Sequence, residues 1–191
     1  MTEASFQPQG YLRFDLSQGK ISTPDKRRHV VVPAELLTAS GDGAELEAAA
    51  RSWGEEQGKS LASLVGKKLL EEPPERFITE LARFMATLGW GWCELEAWGG
   101  VLFVVVQHAP RGSGVRILRS FLAGVFSAAS GQPFGCVAIA DDGSTRFLLT
   151  NPESAALIEV WVEKGAKVGD VVSRMLQGEH LAGSQAKRGG R

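Results

Sequence analysis

The sequence predicts an α+β fold: an antiparallel sheet of two hairpins packed with amphipathic helices, plus an N-terminal helical arm. Three observations carry this. Apolar, strand-like runs flank Gly99-Gly100, and a second pair flanks Asp141-Asp142-Gly143. Connections this short join antiparallel neighbours, and Gly-Gly suits a primed turn. Phe77, Leu81, Phe84, Met85 and Leu88 recur at helical spacing, as do Leu118, Phe121, Leu122, Val125, Phe126 and Ala129. The order is helix, hairpin, helix, hairpin, which suits an antiparallel sheet with helices laid on it.

Taken in order, Tyr11-Leu12-Arg13-Phe14-Asp15-Leu16 alternates like a short strand, and Ser17-Gln18-Gly19-Lys20 reads as a turn. His29-Val30-Val31-Val32 is a second strand candidate stopped by Pro33. Pro33 suits the first position of a short helix over 34–39. Residues 44–56 are Ala-rich and helical, with Leu46, Ala49, Ala50 and Trp53 along one side. Gly58 interrupts, and Leu61, Leu64, Val65 and Leu69 mark a further helical stripe. Glu71-Glu72-Pro73-Pro74 is the main break in the chain. It divides the sequence into a strand and helical arm (1–72), an α+β core (73–180) and a basic tail (181–191). In the core, Gly89 is placed to cap the first helix. Strands over 90–98 and 101–108 form the first hairpin, 115–130 the second helix, and 134–140 with 145–150 the second hairpin. Asn151-Pro152 turns the chain. Residues 156–163 read as a last strand by the alternation of Leu157, Glu159, Trp161 and Glu163 against Ile158, Val160 and Val162, with a helix as the competing reading. A short helix over 168–177 closes the core.

At 191 residues the chain fits one compact domain, and 43% hydrophobic with 23% charged residues excludes a disordered or fibrous protein. A net charge of -1 supplies no positive field for a phosphate backbone, so nucleic acid is not an expected partner. Cys93 and Cys136 are too few for a disulfide framework and read as buried small hydrophobes. Residues 1–20 hold no apolar stretch of the secretory type, and the apolar run 101–106 is far too short for a membrane span. The expected location is the cytoplasm, without membrane insertion.

Few residues point to chemistry. Gly54-Glu55-Glu56-Gln57-Gly58-Lys59-Ser60 is one residue short of a phosphate loop, lies in helical sequence, and carries two glutamates that would repel phosphate. His29, His108 and His180 are scattered, with no metal-ligand spacing to Cys, Asp or Glu. Neither a metal nor a cofactor is expected. Arg116 and Arg119 flank the apolar stripe of their helix and suit a solvated face or an acidic partner. The stretch Trp90-Gly91-Trp92-Cys93-Glu94-Leu95-Glu96-Ala97-Trp98 is the most informative. As a strand it places Trp90, Trp92, Glu94, Glu96 and Trp98 on one face. Such a face could stack on sugar rings and accept hydroxyl hydrogen bonds, or pack at a subunit interface. Glu94 and Glu96 as a glycosidase pair is a weaker reading. An enzyme would need His108, Glu94 or Cys136 joined in one pocket.

The helix Glu80-Leu81-Ala82-Arg83-Phe84-Met85-Ala86-Thr87-Leu88 running into Gly89-Trp90-Gly91, then Leu95-Glu96, Val105-Val106-Gln107-His108 and a helix ending in Gly131-Gln132, resembles the D-type subunit family of the cellulose synthase operon. The resemblance covers about a third of the chain, from residue 73 to about 140. It implies an α+β fold and a non-catalytic subunit that assembles into a ring-like octamer, a tetramer of dimers, with passages for glucan chains. On this reading the chain is not an enzyme but a self-assembling scaffold of a bacterial cellulose secretion apparatus. Its partners would be itself as a homo-oligomer, cellulose synthase complex subunits and glucan chains. Trp90, Trp92, Glu94, Glu96 and Trp98 are then the candidate glucan contacts or subunit-interface residues. In its order of elements (a basic strand into Val31-Val32-Pro33, two helices, a Gly-Trp-Gly hairpin, helix and hairpin) the chain also looks like the vinyl-4-reductase-type domains of the trafficking-complex fold. That resemblance implies a dimeric domain that binds a small apolar molecule or serves in signalling.

Overall fold

A computed structural model describes residues 11–15, 20–24, 26, 28–29, 43–65, 75–141 and 144–178. A small antiparallel sheet comes first: β1 (Arg13–Asp15), β2 (Lys20–Ser22) and β3 (Arg28–His29) in the order β1-β2-β3. The middle strand is not anticipated by the sequence pattern. The helix expected over 34–39, the Glu71–Pro74 break and the basic tail lie outside the described residues. Then follow α1 (Ala44–Val65), α2 (Glu75–Thr87), the hairpin β4 (Trp92–Trp98) and β5 (Val101–Gln107), and α3 (Ser113–Ser130). The hairpin β6 (Gly135–Asp141) and β7 (Ser144–Thr150) precedes α4 (Pro152–Glu163) and α5 (Val168–Leu176). The main sheet is antiparallel throughout, in the order β4-β5-β7-β6, so β4 and β6 are its edges. The α+β class expected from the sequence is the observed one.

The main sheet separates two apolar layers. Cys93, Val104, Val106, Cys136, Phe147 and Leu149 face α1, α2 and α3. Val101, Phe103, Val105, Val137, Ile139 and Leu148 face α4 and α5. Alternation with period two sends successive residues to opposite faces. Because both faces of β5 are covered, its sequence is an unbroken apolar run instead of an alternating one. The first hairpin closes through Gly99 (φ 59°) and Gly100 (φ 91°), both with the positive φ that a type I′ turn requires and that side chains with a Cβ resist.

Two expectations are corrected here. Gly58 does not interrupt α1, which runs unbroken from Ala44 to Val65. Its buried side is Ala50, Gly54, Gln57, Gly58 and Leu61, while Leu46 and Ala49 of the expected stripe are exposed. The glycines permit contact between backbones. A Cβ on Gly54 would strike the carbonyl oxygen of Phe121, one on Gly58 that of Val125, and one on Gly124 that of Arg51. A glycine inside a helix normally costs about 1 kcal/mol against alanine; here it lets α1 and α3 touch along their length. The helix of the expected arm is thus a wall of the core. The phosphate-loop-like residues 54–60 are mid-helix, as the helical reading required.

Residues 156–163 lie in α4, not in a strand. The signal for this is local. Asn151 is the N-cap, its Oδ1 accepting from the Ser154 N–H at 2.8 Å, and Pro152 follows at the first helical position. Ala155, Ile158 and Trp161 then fall at helical spacing on the sheet. The strand-like alternation arises because apolar residues dominate a helix covered on one side and only half exposed on the other.

Candidate functional site

The residues flanking α2 show how the chain builds its most distinctive region. Gly89 (φ 73°) ends the helix: its N–H donates to the Ala86 carbonyl, and the Trp90 N–H reaches back to the Met85 carbonyl, both at 3.0 Å. This is a Schellman closure, which folds the residue after the glycine back onto the helix's apolar side. Gly91 (φ 96°) then turns the chain into β4, where a Cβ would strike the Gln107 carbonyl oxygen. Gly-Trp-Gly is therefore a structural device that delivers the Trp90 ring inward. Trp92, Glu94, Glu96 and Trp98 do share one side of β4, but Trp90 does not: it packs with the opposite layer, against the buried cluster of α1, α2 and α3. That corrects the expected single face.

Trp90 joins a cluster of rings drawn from six places in the sequence. Trp53 on α1 is its hub, with ring centroids 5.0 Å from Phe121, 5.4 Å from Trp90, 5.8 Å from Phe84 and 5.7 Å from His29. Trp90 stands edge-on to both Trp53 and Phe121. Phe84 stacks on Phe121, and Tyr11 meets Phe84 edge-on at 6.1 Å. Phe84 and Phe121 are buried, whereas Tyr11, His29, Trp53 and Trp90 are half-buried. The cluster thus has an apolar floor and a rim of rings that carry hydrogen-bonding groups. His29, itself on β3, lies 3.3 Å through Nε2 from the hydroxyl of Thr23, just past the end of β2. Edge-on and offset ring pairs each add about 0.5–1.5 kcal/mol beyond their buried area. Sequence reasoning missed Tyr11, His29, Trp53, Phe84 and Phe121 as site residues. No spacing relates them; the glycine contact between α1 and α3 brings Trp53 to Phe121, and the small sheet and α2 bring the other rings.

The other sequence candidates are placed as follows. Glu96 accepts from Arg146 at 3.2 Å, and the Arg146 guanidinium lies 5.4 Å from the centre of the Trp98 ring. Glu96 and Trp98 are therefore engaged within the chain, and Glu96 is not one of two free carboxylates. Trp92, 43% exposed, and Glu94 line an open groove of about 370 Å³ between β4 and α2, together with Glu75, Ile78, Ala82 and Leu95. Glu94 and Cys136 sit on opposite edge strands, three strand intervals or ~14 Å apart across the sheet, so no single pocket joins them. His108 is exposed at the end of β5, with φ 58°.

Arg119 is an internal tie. It pairs with Glu47 of α1 at 2.9 Å and with Glu159 of α4, and Arg116 lies 3.5 Å from Glu47. These pairs join three helices beside a second open cleft of about 390 Å³, lined by Arg51, Arg119, Cys136 and Glu159 among others. Burial pushes the Cys93 thiol up to about 12 and raises the Cys136 thiol as well, so both are protonated at neutral pH. They are buried small hydrophobes, as the sequence suggested. Among the described residues no group of His, Cys, Asp or Glu is arranged to hold a metal ion, and no helix is long and apolar enough to cross a membrane.

No protein-family model matches the chain, and no curated protein matches it by sequence. Among solved structures, the fold is similar to the crystal structure of the phenol-responsive sensory domain of the transcription activator PoxR with phenol. The TM-score is 0.51 at 15% sequence identity, covering 72% of this chain and 83% of that one. A likeness at this identity shows a shared fold.

Proposed function

We propose that this chain is a small-molecule-binding domain of a sensory or signalling system, and that its ligand is a small aromatic molecule held against the Trp53 cluster. The observation that carries this is the composition of the cluster: a floor of Phe84 and Phe121 under a rim of Tyr11, His29, Trp53 and Trp90. Ligand sites are commonly apolar with a few placed polar groups, and a floor and rim of this kind suit a guest with a flat apolar body and one polar substituent. The structural likeness supports the same reading, since the similar domain is a phenol-responsive one. The Gly89-Trp90-Gly91 segment, one part of the resemblance to the cellulose-operon family, serves helix closure and a close backbone approach.

The test is thermal unfolding of the full chain against phenol, cresols, indole and cyclohexanol, with mass spectrometry of the denatured protein for a co-purified molecule. A ligand at a hundred times its Kd adds about 2.7 kcal/mol of stability, so a true ligand raises Tm saturably. Aromatic guests should do so and cyclohexanol should not, and Trp53→Phe should weaken the effect. A panel without any saturable shift, together with protein free of bound molecules, overturns the proposal.

A further inference from the structure

We propose that the outer edge of β4 is a docking site for an extended, cationic segment of a partner protein, which adds to the main sheet as a further strand. Among the described residues no strand pairs with this edge. The strand is regular: all seven residues pair in continuous register with β5, with no bulge and no proline. Protein edges of this kind are normally blunted by lysine, proline or a bulge, because their free backbone groups invite another strand. Here the edge opens into the groove beside α2. Ile78, Ala82 and Leu95 give that groove an apolar lining, and Glu75 and Glu94 give it charge. Neither carboxylate has an ion-pair partner among the described residues, in contrast to Glu96, which Arg146 neutralises.

The alternating carboxylates also select the occupant. A second copy laid antiparallel on β4 and centred on Leu95 would set Glu94 opposite Glu96 of the other copy, and Trp92 opposite Trp98. Shifting that register by one pair sets Glu94 or Glu96 opposite itself. Like charges directly opposite each other weaken strand pairing, so the edge disfavours its own kind. A partner strand alternating lysine or arginine with valine-like residues fits instead. Its cations lie on the side of Glu94, its apolar side chains enter the groove on the side of α2, and Trp92 offers an exposed ring to a cation.

The experiment is an amide-shift titration of the full chain with an acetylated, amidated peptide that alternates valine and lysine over the length of β4. Controls are the same peptide with glutamate for lysine, one with proline at its centre, and a block-ordered peptide of the same composition. The valine–lysine peptide should bind saturably and move the amides of β4, with the glutamate peptide weaker by about tenfold through repulsive cross-strand pairs, and the proline and block-ordered peptides weaker because they lose a ladder hydrogen bond or the alternation. Glu94→Lys, on an exposed side chain, should invert the preference towards the glutamate peptide, and Glu94→Gln should lower it without inverting it. Shifts away from β4, or equal binding of the block-ordered peptide, overturn the proposal. So does concentration-dependent dimerisation through β4, which gives the edge to a second copy. Tighter peptide binding by the full chain carrying K187E, R188E and R191E would overturn it too, by giving the groove to the chain's own basic terminus.

Discussion

The two faces of the main sheet are built on different principles. The face under α4 and α5 is a conventional apolar layer: Val101, Phe103, Val105, Ile139 and Leu148 against Ile158, Trp161, Val168 and Val171. It is closed by side-chain packing and capped by ordinary helix signals. The layer under α1, α2 and α3 is apolar too, but within it α1 and α3 meet backbone to backbone at Gly54, Gly58 and Gly124, and a group of large rings packs beside that contact. The first kind of packing stabilises and fills. The second holds six aromatic and histidine rings together while leaving four of them partly open. The candidate site lies on the face where packing is unusual.

The comparison breaks most severely at Phe121, which is fully buried and touches Trp53, Trp90 and Phe84. Phe121→Ala should cost about 3–5 kcal/mol in urea unfolding and abolish aromatic-ligand binding. Ile158→Ala on the other face should cost a comparable 2–5 kcal/mol or so while leaving the ligand affinity of the folded protein unchanged. Loss of binding in both would erase the distinction between the faces. Next comes Gly54→Ala. Helix propensity alone favours alanine by about 1 kcal/mol, but the Cβ has no room at the Phe121 carbonyl, so a net loss of about 1–3 kcal/mol is expected. Asn151→Ala removes the N-cap of α4 and should cost about 1 kcal/mol, with no effect on the ring cluster. The smallest effect has the opposite sign: Gly169→Ala in α5, where nothing stands within 4 Å, should stabilise by about 0.5 kcal/mol. Equal signs for Gly54→Ala and Gly169→Ala in thermal unfolding would remove the backbone-contact explanation.

The same contrast separates what the sequence discloses from what it conceals. Both hairpins, α2 with its Gly89 closure, the Gly99-Gly100 turn, α3 and α5 are legible, because each is written in neighbouring residues. The alternation at 156–163 misleads, although Asn151-Pro152 and the Ile158 spacing encode the helix locally. Gly58 reads as a break because a glycine's cost is local, whereas its reason here is a carbonyl on a helix far along the chain. Simple alternation puts Trp90 on the wrong face because it does not register the positive φ at both flanking glycines. The ring cluster is illegible. Tyr11, His29, Trp53, Phe84, Trp90 and Phe121 have no common spacing, and only the fold brings them together.

Five tryptophans make the decisive measurement available. Trp53 and Trp90 belong to the cluster, Trp92 and Trp98 to the edge strand, and Trp161 to the opposite face. In a phenol titration followed by indole N–H signals in two-dimensional NMR, Trp53 and Trp90 should shift saturably with one common Kd while Trp161 and Trp92 stay in place. Shifts that do not saturate, or that appear at Trp92 and Trp98 without Trp53 and Trp90, would contradict a ligand site in the ring cluster.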